Sequence, residues 1–285
     1  MKFAITATDR YLGVFQAFVE RGWQPLKLFT TPVDQRMHHH RAVIDYATRL
    51  KVAVQLTRLD EQSLRELSEA GCEALVVASY QWRIGDWRPY LKYAVNFHPS
   101  PLPLGRGPYP LPGAILDNLP AWGVSCHKLE WDLDSGDVLR SELFPLAEDE
   151  DHDSLDLKLQ LAARRLAANV ATHFESDWRG ARAQSGGTYH SLWTQEERQL
   201  DFTQSVAQIL RRVRAFGPIE TLVVASGALV FVRRAVGWRE AHSLKPGQVV
   251  NVNQQAMVFA VADGYIGLTE WSLIDPAARP VAERT

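Results

Sequence analysis

Cysteine is scarce in this 285-residue chain: Cys72 and Cys126 stand far apart, each among apolar neighbours. That excludes a disulfide-stapled scaffold and a cysteine-rich metal module, and fits reduced thiols in a cytosolic protein. No apolar run is long enough to span a bilayer. The chain passes from Met1 straight into a strand pattern, without the apolar stretch of a signal peptide, so a cytoplasmic location with no membrane partner is expected. Charge of one sign is also missing: the formal net charge is −2, which gives no general pull towards nucleic acid. Finally, no Gly-x-Gly-x-x-Gly follows the first strand, which argues against a dinucleotide site.

What is present describes an ordinary globular chain, 46% hydrophobic and 22% charged. Lys2 to Thr8, Pro25 to Thr30, Val52 to Leu56 and Ala74 to Ala78 read as buried strands. Amphipathic helices over 11–21, 41–50 and 61–69 separate them. This alternation predicts right-handed βαβ crossovers and a Rossmann-like, mostly parallel sheet, an α/β fold with its ligands beyond the carboxyl ends of the strands. Ser79, Tyr80, Gln81, Trp82 and Arg83, just past the fourth strand, are therefore expected to line a pocket.

The chemistry concentrates between Val95 and Leu139. An apolar run, Tyr93-Ala94-Val95, ends a buried strand and presents Asn96 and His98 two positions apart, on one side of an extended chain. A turn dense in proline and glycine follows, and later Asp134 inside Leu133-Asp134-Ser135-Gly136-Asp137. Attack of an amine on a carbonyl needs an oxyanion donor, a group that moves protons and a group that orients it. An amide, an imidazole and a carboxylate are suited to those tasks, and no serine or cysteine nucleophile is needed. Each residue also has a plain structural reading: a turn asparagine, a satisfied core histidine, a turn aspartate.

Asn96-x-His98-x-Ser100-x-Leu102-Pro103-x-x-Arg106-Gly107, followed by Leu133-Asp134-x-Gly136-Asp137, resembles the signature of the folate-dependent formyltransferases. The resemblance implies transfer of a formyl group from 10-formyltetrahydrofolate, as co-substrate, to an amine, with no metal. It maps the family's Asn, His and Asp onto Asn96, His98 and Asp134. It maps the folate-lining stretch onto Ser100, Pro101, Leu102 and Pro103, with part of the folate site at 79–83. Arg106, Gly107 and Tyr109 fall at acceptor-side positions. Arg106-Gly107 is closest to the methionyl-tRNA branch, although Pro108-Tyr109-Pro110 replaces the usual small residues. The loop after the second strand is short and carries only Arg36 and Arg41, where that branch has a basic insertion that meets tRNA. A small amine, such as an amino sugar or amino-acid derivative, is therefore the expected acceptor, with methionyl-tRNA as the alternative. Hydrolysis of the formyl donor, or folate binding alone, is a further alternative. His38-His39-His40 in the same loop is read as solvated or substrate-facing, because three successive side chains diverge and do not converge on one ion.

Domain borders are expected at 1–183 for a catalytic domain, 184–205 for a linker around Gly186-Gly187, and 206–285 for a smaller β-rich, barrel-like domain. The last is read from a helix over 206–216 and five short strands punctuated by Lys245-Pro246-Gly247 and Asp263-Gly264. It resembles the C-terminal domain of methionyl-tRNA and some sugar formyltransferases, with Arg211 to Phe216 matching the opening helix.

Overall fold

The computed structural model describes residues 1–31, 39–225 and 227–275. In chain order its elements begin with β1 (Lys2–Ala7), α1 (Leu12–Glu20), β2 (Gln24–Phe29), α2 (Arg41–Arg49), β3 (Ala53–Gln55) and α3 (Glu61–Glu69). They continue with β4 (Ala74–Ala78), β5 (Tyr93–His98), α4 (Leu111–Leu116), β6 (Ala121–Lys128), β7 (Val138–Pro145), α5 (His152–Arg179), α6 (Gln195–Arg198) and α7 (Val206–Phe216). The last strands are β8 (Thr221–Ala225), β9 (Ala228–Arg239), β10 (Val249–Val252), β11 (Met257–Val261) and β12 (Gly264–Ser272).

The chain divides into two compact units. The first holds residues 1–107, 121–145 and 157–189; the second holds 108–120, 146–156 and 190–285. Residues 184–189 thus belong to the first unit. Residues 190–205, including α6 with its Thr194/Glu197 capping box, belong to the second. Both α4 and the first turn of α5 are also counted with the second unit, although they lie within the stretch read as catalytic domain.

A seven-stranded sheet in the order β3-β2-β1-β4-β5-β6-β7 builds the first unit. The strands up to β5 run parallel, while β6 and β7 are antiparallel. All five residues of β4, ALVVA, are buried, as expected of a central strand covered on both faces. Leu75, Val76 and Val77 there each contribute about 1.5–3 kcal/mol by leaving water. Leu64 and Leu67 of α3 pack on Leu75 and Val77 in the same core. Asp60 caps α3 by accepting from the Ser63 amide at 2.8 Å, which ends the connection from β3 and fixes where the helix starts.

The second unit carries an antiparallel half-barrel in the order β10-β11-β12-β9-β8. One apolar face of α7, with Val206, Ile209 and Val213, packs on Val230, Val232 and Ile266. A capping box between Ser205 and Gln208 opens α7, and Asp263 holds its first amide at 2.7 Å. Gly217 ends it at φ +42, where a Cβ would lie 2.7 Å from that of His152, so position and packing both call for glycine. Among the described residues no helix is long and apolar enough to cross a membrane.

Candidate functional site

β5 sits between β4 and β6, and its end delivers the first two groups. Period-two alternation puts Asn96 and His98 on one side, and the antiparallel register sets Asn96 opposite His127 and His98 opposite Ser125. The turn after β6 brings back Asp134, whose φ of +54 lies in the left-handed region that aspartate tolerates better than most residues. The three sequence-read groups meet. His98 Nδ1 lies 3.2 Å from Asp134 Oδ1, and Asn96 Nδ2 lies 3.4 Å from the same oxygen. The Gly107 amide donates to the other carboxylate oxygen at 2.9 Å.

A fourth member, His127, was not read as a site residue from the sequence. It is 1% exposed, and its Nδ1 lies 2.8 Å from the Lys128 carbonyl. That carbonyl can only accept, so Nδ1 carries a hydrogen, and Nε2 meets the Asn96 amide NH2, which can only donate. Nε2 is 3.1 Å from Asn96 Nδ2 and 3.6 Å from Asp134 Oδ1, so it accepts from Asn96 and fixes which way that amide faces. One Nδ2 hydrogen is thereby held, and the planar amide points the other along the longer contact towards Asp134. The signal in the sequence was a histidine on an alternating strand; its partner across the sheet was not visible there.

His98, 4% exposed, lies between two acceptors: Asp134 on Nδ1 and the Gly105 carbonyl, 2.8 Å away, on Nε2. A neutral ring has one N–H and satisfies one of them. Burial holds the imidazole below its ordinary pKa, against the opposing pull of Asp134 and Gly105. Burial also pushes the Asp134 carboxyl up, but the His127 and His98 rings beside it and the Gly107 amide outweigh it. The carboxyl is held below the usual range. The pair is a neutral imidazole beside a carboxylate, with a ring nitrogen facing an oxygen it cannot yet bond. Taking one proton turns both of its contacts into charge-assisted hydrogen bonds. Neither ring nitrogen points to open space, so direct donation from His98 to an incoming carbonyl would require the Gly105 carbonyl to give way.

The remaining sequence-read residues divide. Ser79 has φ +74 at the end of β4. The Tyr80 hydroxyl accepts from the Leu59 amide at 2.7 Å and its ring meets Trp82 edge-on. Gln81 is exposed. The Arg83 guanidinium lies 4.6 Å from the ring centre of Trp131, which is 60% exposed in the loop leading to Asp134. Ser100 is fully buried, and its carbonyl accepts from Ser125 Oγ, which in turn accepts from the Leu102 amide. Pro101 and Pro103 are partly exposed. The Arg106 guanidinium donates to the Gly186 carbonyl. Tyr109 is counted with the second unit, where its ring stacks on His152. His38 and Arg36 lie outside the described residues; His40 precedes α2 without a side-chain cap. Among the described residues, no three His, Cys, Asp or Glu side chains are grouped to hold a metal ion.

Comparison with known proteins supplies the last observations. The family described as formyl transferase, C-terminal domain, matches residues 193–279. Methionyl-tRNA formyltransferase of Janthinobacterium sp. (strain Marseille) is 31% identical over 62% of this chain and 57% of its own length. The chain thus spans less than two thirds of that relative. The protein of the same name from Lactococcus lactis is 26% identical over 97% of this chain and 82% of its own length. Among solved structures, the N-formyltransferase of Helicobacter canadensis in complex with folinic acid and dTDP-3-aminofucose superposes with a TM-score of 0.68 at 13% identity, covering 94% of this chain and 98% of that one. HypX of Aquifex aeolicus in complex with tetrahydrofolic acid gives 0.63 at 20% identity, covering 95% of this chain and 44% of that chain. At such identities the structural likeness speaks for the fold.

Proposed function

We propose that this chain is a folate-dependent formyltransferase and transfers the formyl group of 10-formyltetrahydrofolate to an acceptor amine, a reading that its likeness to the formyl transferase C-terminal domain and to methionyl-tRNA formyltransferases supports. The observation that carries the reading is the single hydrogen-bonded cluster of Asn96, His98 and Asp134. The amine nitrogen attacks the formyl carbon, a C–N bond forms, and the carbonyl π pair moves onto oxygen. Asn96 offers its second amide hydrogen to that oxyanion. The proton leaving the amine goes to the His98–Asp134 pair. As the carbonyl re-forms, the bond to folate N10 breaks and N10 takes that proton. With both its nitrogens facing protein oxygens, His98 takes the proton-carrying role in this reading.

For the donor, the exposed Trp131 ring under Arg83, with Leu133 (54% exposed) beside it in sequence, offers a flat apolar contact to an aromatic folate ring. The acceptor is proposed to be a small amine such as an amino sugar or amino-acid derivative, on the strength of the short loop after β2. The names of the sequence relatives favour a second reading, methionyl-tRNA. One assay separates them: tetrahydrofolate release from 10-formyltetrahydrofolate, with nucleotide-linked amino sugars, amino acids or charged initiator tRNA, and with none. Release that depends on one acceptor supports transfer and names the acceptor. Equal release without any acceptor overturns transfer in favour of hydrolysis.

A further inference from the structure

We infer that residues Gln184 to Thr188 form a positioning strap for the His98–Asp134 pair, an inference that rests on the function proposed above. In sequence this stretch is a Gly-Gly linker with no site residue. In the fold it is pinned at its start, where Arg182 and Val138 exchange backbone hydrogen bonds of 2.8 and 2.9 Å. From there Gln184 reaches the loop that carries Asp134. Its Nε2 donates to the carbonyls of Asp134 and of Gly136, each at 2.7 Å. Both amide hydrogens are used, while its Oε1 is buried with no hydrogen-bond partner. The side chain is held by its donor end. It grips the backbone on either side of Ser135, next to the left-handed turn at Asp134.

The other end of the strap grips the other loop. Thr188 Oγ1 accepts from the Gly105 amide at 2.8 Å, and the Thr188 carbonyl accepts from the Arg106 amide at 3.0 Å. Between the two ends Gly187, at φ +95, lies so close to Pro103 that a Cβ would fall 2.0 Å from the Pro103 oxygen. These are the loops that hold the pair: the Gly105 carbonyl faces His98 Nε2, and the Gly107 amide donates to Asp134 Oδ2. Gln184 therefore sets the height of the carboxylate, and Thr188 sets the carbonyl against the imidazole. A displacement of about 1 Å at reacting groups lowers turnover by roughly a hundredfold, so the strap acts through placement, without touching substrate.

The test compares Gln184→Leu, Thr188→Val and Thr188→Ser with the unaltered chain. The measurements are kcat, KM for 10-formyltetrahydrofolate, and hydrogen exchange at the Gly105 and Gly107 amides. Gln184→Leu is expected to lower kcat about a hundredfold with KM within about threefold, and to speed exchange at Gly107. Thr188→Val is expected to lower kcat and expose the Gly105 amide, and Thr188→Ser, which keeps the hydroxyl, to restore most of both. Unchanged kcat alongside faster exchange overturns the inference, as does a fall in kcat with exchange unchanged. If the unaltered chain transfers formyl to no acceptor, the proposed function fails. Hydrogen exchange then still reports whether the strap holds the two loops. Should Gln184→Leu not fold, the Thr188 pair decides the matter.

Discussion

Replacing Asp134 by Asn changes one oxygen for an NH2 and removes one charge from the centre of the cluster. In the resting state the loss is small. The Asn oxygen can still accept from Gly107, and its NH2 can donate to His98 Nδ1, leaving Nε2–H for the Gly105 carbonyl. The neutral ring is then satisfied on both sides and only the long contact from Asn96 Nδ2 is lost, so folding stability should fall by about 1 kcal/mol. The proton-carrying state loses far more. At the 3.2 Å separation of His98 Nδ1 and Asp134 Oδ1, an imidazolium and a carboxylate attract by about 5 kcal/mol at an effective dielectric of about 20. The Asn NH2 would face a second N–H there. Each 1.36 kcal/mol is about a factor of ten in rate, so single-turnover release of tetrahydrofolate should slow by about three orders of magnitude. Folate affinity should hold, by equilibrium binding, and the denaturation midpoint should fall only slightly. Turnover within tenfold of the unaltered chain would refute the placement of the transferred proton on this pair.

His127→Leu removes the acceptor that fixes Asn96, so kcat should fall about tenfold to a hundredfold, the range of 1–3 kcal/mol for a buried polar group left unpaired. His127→Gln can offer an oxygen in place of Nε2 and should recover part of the rate. Trp131→Ala should raise KM for the folate donor about tenfold with kcat little changed, if the exposed indole meets the ring system as proposed; the two parameters from one titration check this. Gly187→Ala should destabilise by about 1–3 kcal/mol through a forced left-handed φ and the clash with Pro103, read by urea unfolding. Stability should fall on acidification, for two reasons with the same sign. Burial keeps His98 below its ordinary pKa, so below the ordinary imidazole range the unfolded chain binds a proton that the folded one refuses. Asp134 is held below the ordinary carboxylate range, so its contribution is present above that range and is lost as pH falls through the folded value. Unfolding curves from neutral pH downwards check this: the unaltered chain should lose more stability than Asp134→Asn, which keeps only the His98 contribution.

Much of the molecule was legible from local pattern. The all-apolar ALVVA of β4 and the helical stripes of α1 and α3 are set by periods of two and 3.6, which a sequence displays without knowing its neighbours. Observed boundaries differ from the sequence reading by a residue or two, as at β1, which stops at Ala7, and β2, which runs Gln24–Phe29. The pairing of Asn96 with His98 on one side of β5 is likewise local. His127 was hidden because its role depends on β6 running antiparallel to β5 in a register that sets it opposite Asn96. The strand alternation could be read, but the partner strand and its offset are long-range choices. The strap was hidden for a related reason: Gln184, Gly187 and Thr188 are ordinary linker residues until two distant loops present carbonyls and an amide to them.

The sequence by itself determined the element types, the two-part division into a parallel α/β sheet and a β-rich half-barrel, and the three polar groups, because these follow from periodicity and from residue chemistry. The tertiary structure alone decided which hydrogen each of those groups holds. Asn96 is oriented by His127, His98 is caught between Gly105 and Asp134, and Asp134 is held by Gly107 and gripped through its backbone by Gln184. The physical reason is that a hydrogen bond depends on tenths of an ångström between atoms far apart in the chain, and only the packed sheet and its loops set such distances.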